Sequence, residues 1–251
     1  MFGPALGGLA SGVHITAPFW IAAALATLNV VFGIFILPES LPPSKRRPFG
    51  RRDLNPFGSI FRAFAMPGLA IPLICIFVFE FANMVYPTLW AFWGREVFGW
   101  DGFTIGLTLS AYDILIAGVQ AGVLPQLTKR YGDYNTLLIA VAAAVLGLLG
   151  FGFSTAAWAV ALVLPIATLA DMAPPLMTAF AANRVGEDSQ GLVQGVIASL
   201  ASVAAVVAPL ALTGVFERFV SGDGLYFPEA PSVIAAVLVI VTVPLVMRLR
   251  P

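Results

Sequence analysis

The sequence is poor in the residues that most protein chemistry uses. Only 10% of its 251 residues are charged, and Lys plus Arg balance Asp plus Glu at 13 each. It has one cysteine, Cys75, and one histidine, His14, which excludes an intrachain disulfide and a multi-cysteine metal site. A net charge of zero gives no overall field that would attract nucleic acid. We therefore expect no metal, no cofactor and no nucleic-acid partner.

Motifs of soluble enzymes are also missing from the sequence. It contains no P-loop, no dinucleotide-binding fingerprint, no HExxH and no nucleophile elbow. A membrane-embedded enzyme would need a His/Asp or Ser/Lys constellation at one membrane face, and none is evident. We predict that the chain is not an enzyme and does not hydrolyse ATP itself.

Apolar residues, in contrast, are abundant. Hydrophobic residues make up 59% of the chain and the mean hydropathy is +0.94, more than a soluble domain of this size can bury, so lipid must cover part of the surface. Crossing a bilayer takes about 20 mostly apolar residues. Seven runs meet that requirement, and they are residues 19–37, 69–90, 105–127, 137–153, 157–182, 192–216 and 232–247. A shorter apolar stretch, 2–13, precedes them. The pattern predicts an all-α membrane protein.

The distribution of basic residues predicts the orientation in the membrane. Eleven Lys and Arg residues fall on one side of the predicted spans, and only Arg95 and Arg218 fall on the other. By the positive-inside rule the first side is cytoplasmic, and it includes the C-terminus. Six of the eleven lie in residues 38–66, which we interpret as a basic cytoplasmic linker. Within it, residues 54–65 could form a short amphipathic helix on the membrane surface.

Three carboxylates lie at membrane depth: Glu80, Asp113 and Asp171. Each costs several kcal/mol to bury unless it is paired, hydrated or protonated, so each is a candidate functional residue. Because burial disfavours the charged form, such a group can bind a proton in one conformation and release it in another. That behaviour is what proton-coupled transport requires. The alternative for each is a hydrogen bond that only supports packing.

The neighbours of two of these acids predict a cavity lining. Asp113 and Gln120 fall on one helix face, and a polar stripe on an apolar helix should face a cavity. Glu80 and Asn83 likewise share a face. Tyr112, beside Asp113, is a candidate for stacking on a planar ligand, as is Tyr86.

The third acid, Asp171, precedes a pair of prolines. Pro174 and Pro175 must kink or open the helix and free backbone carbonyls. Broken helices at mid-membrane often form binding sites, although the Asp171 side chain could simply satisfy the freed backbone. At the end of another predicted span, Trp90, Trp93 and Trp100 cluster. That clustering is typical of a belt at the membrane interface.

Two stretches carry a family resemblance. One is Gly3-Pro4-Ala5-Leu6-Gly7-Gly8, with its Gly3, Pro4, Gly7 and Gly8 spacing. The other, which is more specific, is Asp188-Ser189-Gln190-Gly191-Leu192-Val193-Gln194-Gly195, with Gln190, Gly191, Gln194 and Gly195. They resemble the antiporter motif of the fifth helix and the start of the eleventh helix in the drug:proton antiporters of the tetracycline-efflux type, in the major facilitator superfamily.

The resemblance implies an architecture of twelve helices in two halves of six. Residues 1–37 would end the N-terminal half with late helix five and helix six, 38–66 would form the linker, and 67–251 the C-terminal half. We therefore expect a truncated transporter of the bacterial inner membrane whose partners are the lipid bilayer and a missing N-terminal half. The loop at 125–132 keeps Arg130 and Gly132 of the family's cytoplasmic gate but loses its first glycine and its acid.

The function that the resemblance implies is proton-coupled efflux of a small amphipathic drug such as tetracycline by alternating access. The substrate and proton pathway would be lined by polar residues of the C-terminal half: Glu80, Asn83, Tyr112, Asp113, Gln120 and Asp171. The family's acid in helix nine has no counterpart in 137–153, and its histidine position falls at or near Ile116. We therefore expect proton coupling through Glu80, Asp113 or Asp171. The alternatives are a metabolite symporter, against which the 3–8 motif argues, and a non-transporting membrane scaffold.

Overall fold

A computed structural model describes residues 10, 14, 16–36, 56–186, 189–221 and 224–250. Gly3, Pro4, Gly7 and Gly8 of the predicted antiporter motif lie outside these residues. The chain divides into two compact units, Met1–Arg51 and Arg52–Pro251. In the first unit, helix α1 (Ala17–Ile36) is mostly apolar, and its span Phe19–Ile36 has a mean hydropathy of 2.2.

The described residues of the second unit form helices joined by short turns and loops, with no strand among them. Its helices are α2 (Pro56–Ala65), α3 (Ala70–Asn83), α4 (Val85–Phe98), α5 (Gly102–Gly118), α6 (Leu124–Gly152), α7 (Ala157–Leu169), α8 (Ala173–Ala182), α9 (Gln190–Val220) and α10 (Ala230–Met247). A π-helical turn (Val119–Val123) joins α5 to α6, and a 3-10 turn (Ala170–Met172) joins α7 to α8. Consecutive elements therefore merge into longer spans.

With Gly102–Gly152 counted as two, the described residues hold helices long and apolar enough for the seven crossings that the sequence predicts. Six continuous helical stretches are long and apolar enough to cross a membrane, and one of them, Gly102–Gly152, has 51 residues. That stretch turns at Gly132, where φ is +78°, a backbone conformation that favours glycine because a Cβ would clash there. The stretch therefore supplies two crossings, one on each side of Gly132.

Two glycines allow helices α6 and α7 to approach each other closely. A Cβ placed on Gly147 would lie 2.9 Å from the Cα of Ala167, and one placed on Gly150 would lie 2.8 Å from the Val163 methyls. Between lipid-covered helices, where no hydrophobic effect drives association, such backbone contact supplies the packing energy. These two glycines thus fix the distance between α6 and α7.

The predicted amphipathic helix is present as α2. It packs against α3 and α9, with Ala63 fully buried, while Phe61 is 74% exposed on the opposite side. The helix begins at Pro56 because proline is favoured in the first turn, where its missing N–H costs nothing. Its location on the membrane surface remains a prediction.

The tryptophans correct a prediction. Trp90 and Trp93 are each only 7% exposed, and both rings pack against Phe151, so these two do not form an interfacial belt. The reason is that the helix does not end near residue 90 but continues through α4 to Phe98, which places both indoles inside the span. Trp100 then folds back onto α4, 6.1 Å from Trp90 between ring centroids. We call these rings, with Phe98, the aromatic cluster.

Candidate functional site

Three spans lose the regular α-helical pattern, each just before a proline. The breaks lie at Met84, at Val119–Val123 and at Ala170–Met172, and they are followed by Pro87, Pro125 and the Pro174-Pro175 pair. A proline has no N–H, so the carbonyl four residues before it loses its helical partner. A proline alone is not sufficient, because α7, α9 and α10 continue as α-helix through Pro165, Pro209 and Pro244. We predicted only the third from the sequence.

The carbonyl of Asp171 is left without either of its usual partners. A 3-10 bond would come from residue 174 and an α-helical bond from residue 175, and both are prolines. The preceding carbonyl, of Ala170, still accepts a 3-10 bond from Ala173, which explains the short turn. The side-chain amide of Gln120 donates to the Asp171 carbonyl at 2.7 Å. The freed backbone is therefore satisfied by Gln120 and not by the Asp171 side chain.

The carboxylate of Asp171 is free to bind other groups, and two other helices supply donors. The Tyr112 hydroxyl of α5 donates to Oδ2 at 2.9 Å, and the Asn83 amide of α3 donates to Oδ1 at 3.5 Å. Both donors are neutral. Asp171 is therefore a partly buried carboxylate at a junction of three broken helices. We call Asn83, Tyr112, Gln120 and Asp171 the polar junction.

The two remaining acids lie at different distances from this junction. Glu80 is partly buried one turn before Asn83, and its carboxylate is near enough to Asp171 to interact electrostatically. Asp113 is exposed on α5, one residue after Tyr112. The structure thus brings together four of the six predicted pathway residues directly, and Glu80 at longer range.

Tyr86 is part of the site, although the sequence indicated only stacking on a ligand. Its ring centroid lies 5.9 Å from that of Tyr112 and 5.7 Å from that of Phe151, and it interacts electrostatically with Asp171. A signal was available in the sequence, because Tyr86 follows Asn83 by three residues and therefore lies on the same helix face.

The other predicted residues are remote from the polar junction. Arg130 is exposed, with its guanidinium 5.3 Å from the centroid of the Tyr131 ring, and Gly132 forms the turn between two crossings. The predicted start of helix eleven is the start of α9, where four residues are exposed: Gln190, Gly191, Gln194 and Gly195. Gating by these residues remains a prediction.

A bundle of membrane-crossing helices with polar side chains gathered at helix breaks is the architecture of a membrane transport protein. The sequence profile of the Major Facilitator Superfamily matches residues 1–209, and the chain belongs to this superfamily. Membership of a transporter family agrees with the prediction that the chain is not an enzyme.

Individual relatives agree with the family resemblance. The chain is 31% identical over 247 residues to the tetracycline resistance protein, class C, of Escherichia coli, covering 98% of this chain and 61% of that protein. It is 28% identical over 222 residues to multidrug resistance protein 2 of Bacillus subtilis, covering 86% of this chain and 54% of that one. The predicted resemblance to the tetracycline-efflux type is confirmed. The chain spans about 60% of the length of its tetracycline resistance relatives.

A solved structure shares the fold. The crystal structure of the human organic anion transporter MFSD10 (TETRAN) superposes with a TM-score of 0.75 at 20% sequence identity, covering 92% of this chain and 57% of that one. The predicted fold class, part of a major-facilitator helical bundle, is confirmed.

Proposed function

We propose that this chain is the C-terminal part of a proton-coupled antiporter that exports a small amphipathic drug such as tetracycline across the bacterial inner membrane. The observation that carries the proposal is the Asp171 carboxylate, held within a membrane-crossing bundle by neutral donors from two other helices. The names of the relatives, which include tetracycline and multidrug resistance proteins, support the substrate class.

The Asp171 contacts suit a group that binds and releases a proton. A charged carboxylate accepts from both Tyr112 and Asn83, and a hydrogen bond to a charged group is stronger than one between neutral groups. Protonation removes the negative charge, so the hydrogen bonds from Tyr112 and Asn83 become neutral and weaker, and a proton on Oδ2 competes with the Tyr112 hydroxyl for that oxygen. Protonation therefore weakens the contact between α5 and the α7–α8 break.

This change links the proton to helix positions. Asn83, Tyr112 and Asp171 come from three different spans, and Gln120 joins the backbone of one span to the side chain of another. Weakening of the donor bonds to the carboxylate alters which spans are held together. In our proposal this is the step that couples proton binding to the exchange between inward-facing and outward-facing states.

The orientation and the partner bundle are part of the proposal. Among the described basic residues of the second unit, two lie near one end, Arg95 and Arg218. Six lie near the other end, and they are Arg62, Lys129, Arg130, Arg184, Arg248 and Arg250. This asymmetry supports a cytoplasmic C-terminus. Because the relatives are longer, we propose that the 67–251 bundle works opposite a second six-helix bundle, joined through 38–66, and that Asp113 lines the space between them.

Proton-driven drug accumulation in everted membrane vesicles tests the proposal. Vesicles would contain this chain together with the part of the class C relative that precedes its match to this chain, supplied as a second polypeptide. We expect Asp171→Asn to abolish tetracycline uptake driven by a pH gradient while tetracycline-for-tetracycline exchange persists, because the amide cannot bind a proton. Glu217→Gln, an acid-to-amide change at an exposed position, is the matched control. Undiminished gradient-driven uptake by Asp171→Asn would contradict the assignment.

A further inference from the structure

Two buried donor groups lie outside the hydrogen bonds described above. The Tyr86 hydroxyl and the Trp93 indole nitrogen are both inaccessible at the surface, and neither has a hydrogen-bond partner within the described part of the chain. Buried polar groups in folded proteins nearly always have a partner, from the protein or from ordered water. These two side chains line the same cavity, so a molecule bound in that cavity can be a hydrogen-bond partner for both.

The cavity has the size and chemistry for water. Its volume is about 20 Å³, on a measure by which roughly 10–15 Å³ accommodates one water molecule. Its lining includes Ser232, a third residue with a polar side chain, and Phe151. It also includes Pro228 and Pro231, so it begins at the 224–230 loop, on the end of the bundle that we propose to be external.

Two further voids also adjoin Tyr86, and each is lined by one of the residues that donate to the Asp171 carboxylate. One, of about 10 Å³, lies between Tyr86, Asn83 and Ala170. The other, of about 20 Å³, lies between Tyr86 and Tyr112. Asn83 and Tyr112 are the two donors to the Asp171 carboxylate. Tyr86 therefore stands between the cavity at the 224–230 loop and both contacts of Asp171.

We propose that Tyr86 relays protons between water in the Trp93–Ser232 cavity and the carboxylate of Asp171. A hydronium ion in the cavity gives a proton to the Tyr86 oxygen and becomes water, while the original Tyr86 proton passes to a water molecule in one of the two further voids, which passes a proton on to Asp171. One proton moves inward, the tyrosine is regenerated, and the charge of Asp171 is neutralised. This inference rests on the proposed function, in which Asp171 is the group that binds the proton.

The titratable groups around Asp171 come from three helices. They are Glu80 on α3, Tyr86 on α4 and Tyr112 on α5, and each interacts electrostatically with Asp171. Of these, Tyr112 bonds the carboxylate directly and sets its equilibrium, whereas Tyr86 has no direct bond to it. A relay residue should change the rate of proton transfer more than the equilibrium, which separates the two tyrosines experimentally.

The test is the rate at which Asp171 becomes protonated after a pH jump, followed by infrared spectroscopy of the carboxyl band in the reconstituted full chain. Asp171→Asn identifies the band by abolishing it. We expect Tyr86→Phe, which keeps the ring and its packing, to slow protonation at least tenfold with a titration midpoint close to that of the wild type. Tyr112→Phe should instead shift the midpoint.

A second variant tests the cavity without touching Tyr86. Ser232→Val replaces the cavity hydroxyl with a bulkier apolar group and should slow protonation in the same way, whereas Ser202→Val, on the exposed part of α9, should leave the rate unchanged. Wild-type rates in both Tyr86→Phe and Ser232→Val would overturn the relay while leaving Asp171 as the proton site. Absence of any Asp171 band that changes with pH would instead contradict the proposed function, and the relay with it.

Discussion

The bond between Gln120 and the Asp171 carbonyl gives a prediction that a double-mutant cycle can check. Gln120→Leu removes the donor and leaves a partly buried carbonyl whose two helical partners are both prolines. An unsatisfied buried acceptor costs about 1–3 kcal/mol. In membrane proteins, measured side-chain hydrogen bonds average about 0.6 kcal/mol and reach about 1.7 kcal/mol. We expect the loss to lie near 1 kcal/mol.

The second arm of the cycle restores the helical partner. Pro175→Ala returns an N–H at the position from which an α-helical bond to Asp171 would come, and because Pro175 is exposed the change opens no cavity. In this background Gln120→Leu should cost about 1 kcal/mol less than it does in the wild type. The difference between the two costs is the coupling energy of the pair.

The assay is reversible unfolding in mixed micelles, with the free energy of unfolding read from the denaturant dependence for all four proteins. Equal costs of Gln120→Leu in both backgrounds would refute the reasoning, because they would show that the prolines do not create the need for the glutamine.

Two further predictions concern packing and pH. Gly147→Ala should lower the free energy of unfolding by about 1–3 kcal/mol, because its Cβ would lie 2.9 Å from the Ala167 backbone. The control Gly214→Ala, whose Cβ would have nothing within 4 Å, should cause no loss. Equal thermal midpoints for the two variants would contradict this prediction. The exposed Tyr226 donates to Glu96 at 2.9 Å, and this bond, with a smaller effect of burial, raises the pKa of Tyr226 above its ordinary 10.0. The protonated phenol is therefore favoured in the folded state, and the stabilisation is complete below about pH 10 and lost as the pH rises through the raised pKa. Chemical unfolding should show Tyr226→Phe as less stable than the wild type near neutral pH, with the difference vanishing in strong alkali; a difference independent of pH would exclude this cause.

Span positions were predictable because hydrophobicity and length follow directly from the solvent that the helices face. The break at Asp171 was also predictable, since Pro174 and Pro175 act on the same chain segment. The partner of the freed carbonyl was not, because Gln120 lies 51 residues earlier in the chain and nothing local to the prolines specifies it. Sequence spacing suggested which residues share a face, but not which faces meet.

The tryptophans show where local reasoning fails. Trp90 and Trp93 have the composition of an interfacial belt, yet they are buried because the helix continues past them and Gly94 leaves space for the ring of Trp100. A sequence window that ends a span at the first polar residues cannot foresee this extension. Tyr86 lies before this extension, inside the predicted span, and its connection to Asp171 depends on neighbours from other helices, such as Tyr112 and Phe151.

The two adjacent prolines after Asp171 have a lasting consequence for motion. Proline has no backbone N–H in any conformation, so this segment cannot become a regular helix with its full set of hydrogen bonds. The half-helices on either side are joined by a permanent hinge, and its backbone oxygen is secured by a single amide from another span. Water can replace the Gln120 amide as the donor to this oxygen, and no helical turn has to unfold. The hinge can therefore open and close by exchanging one hydrogen bond.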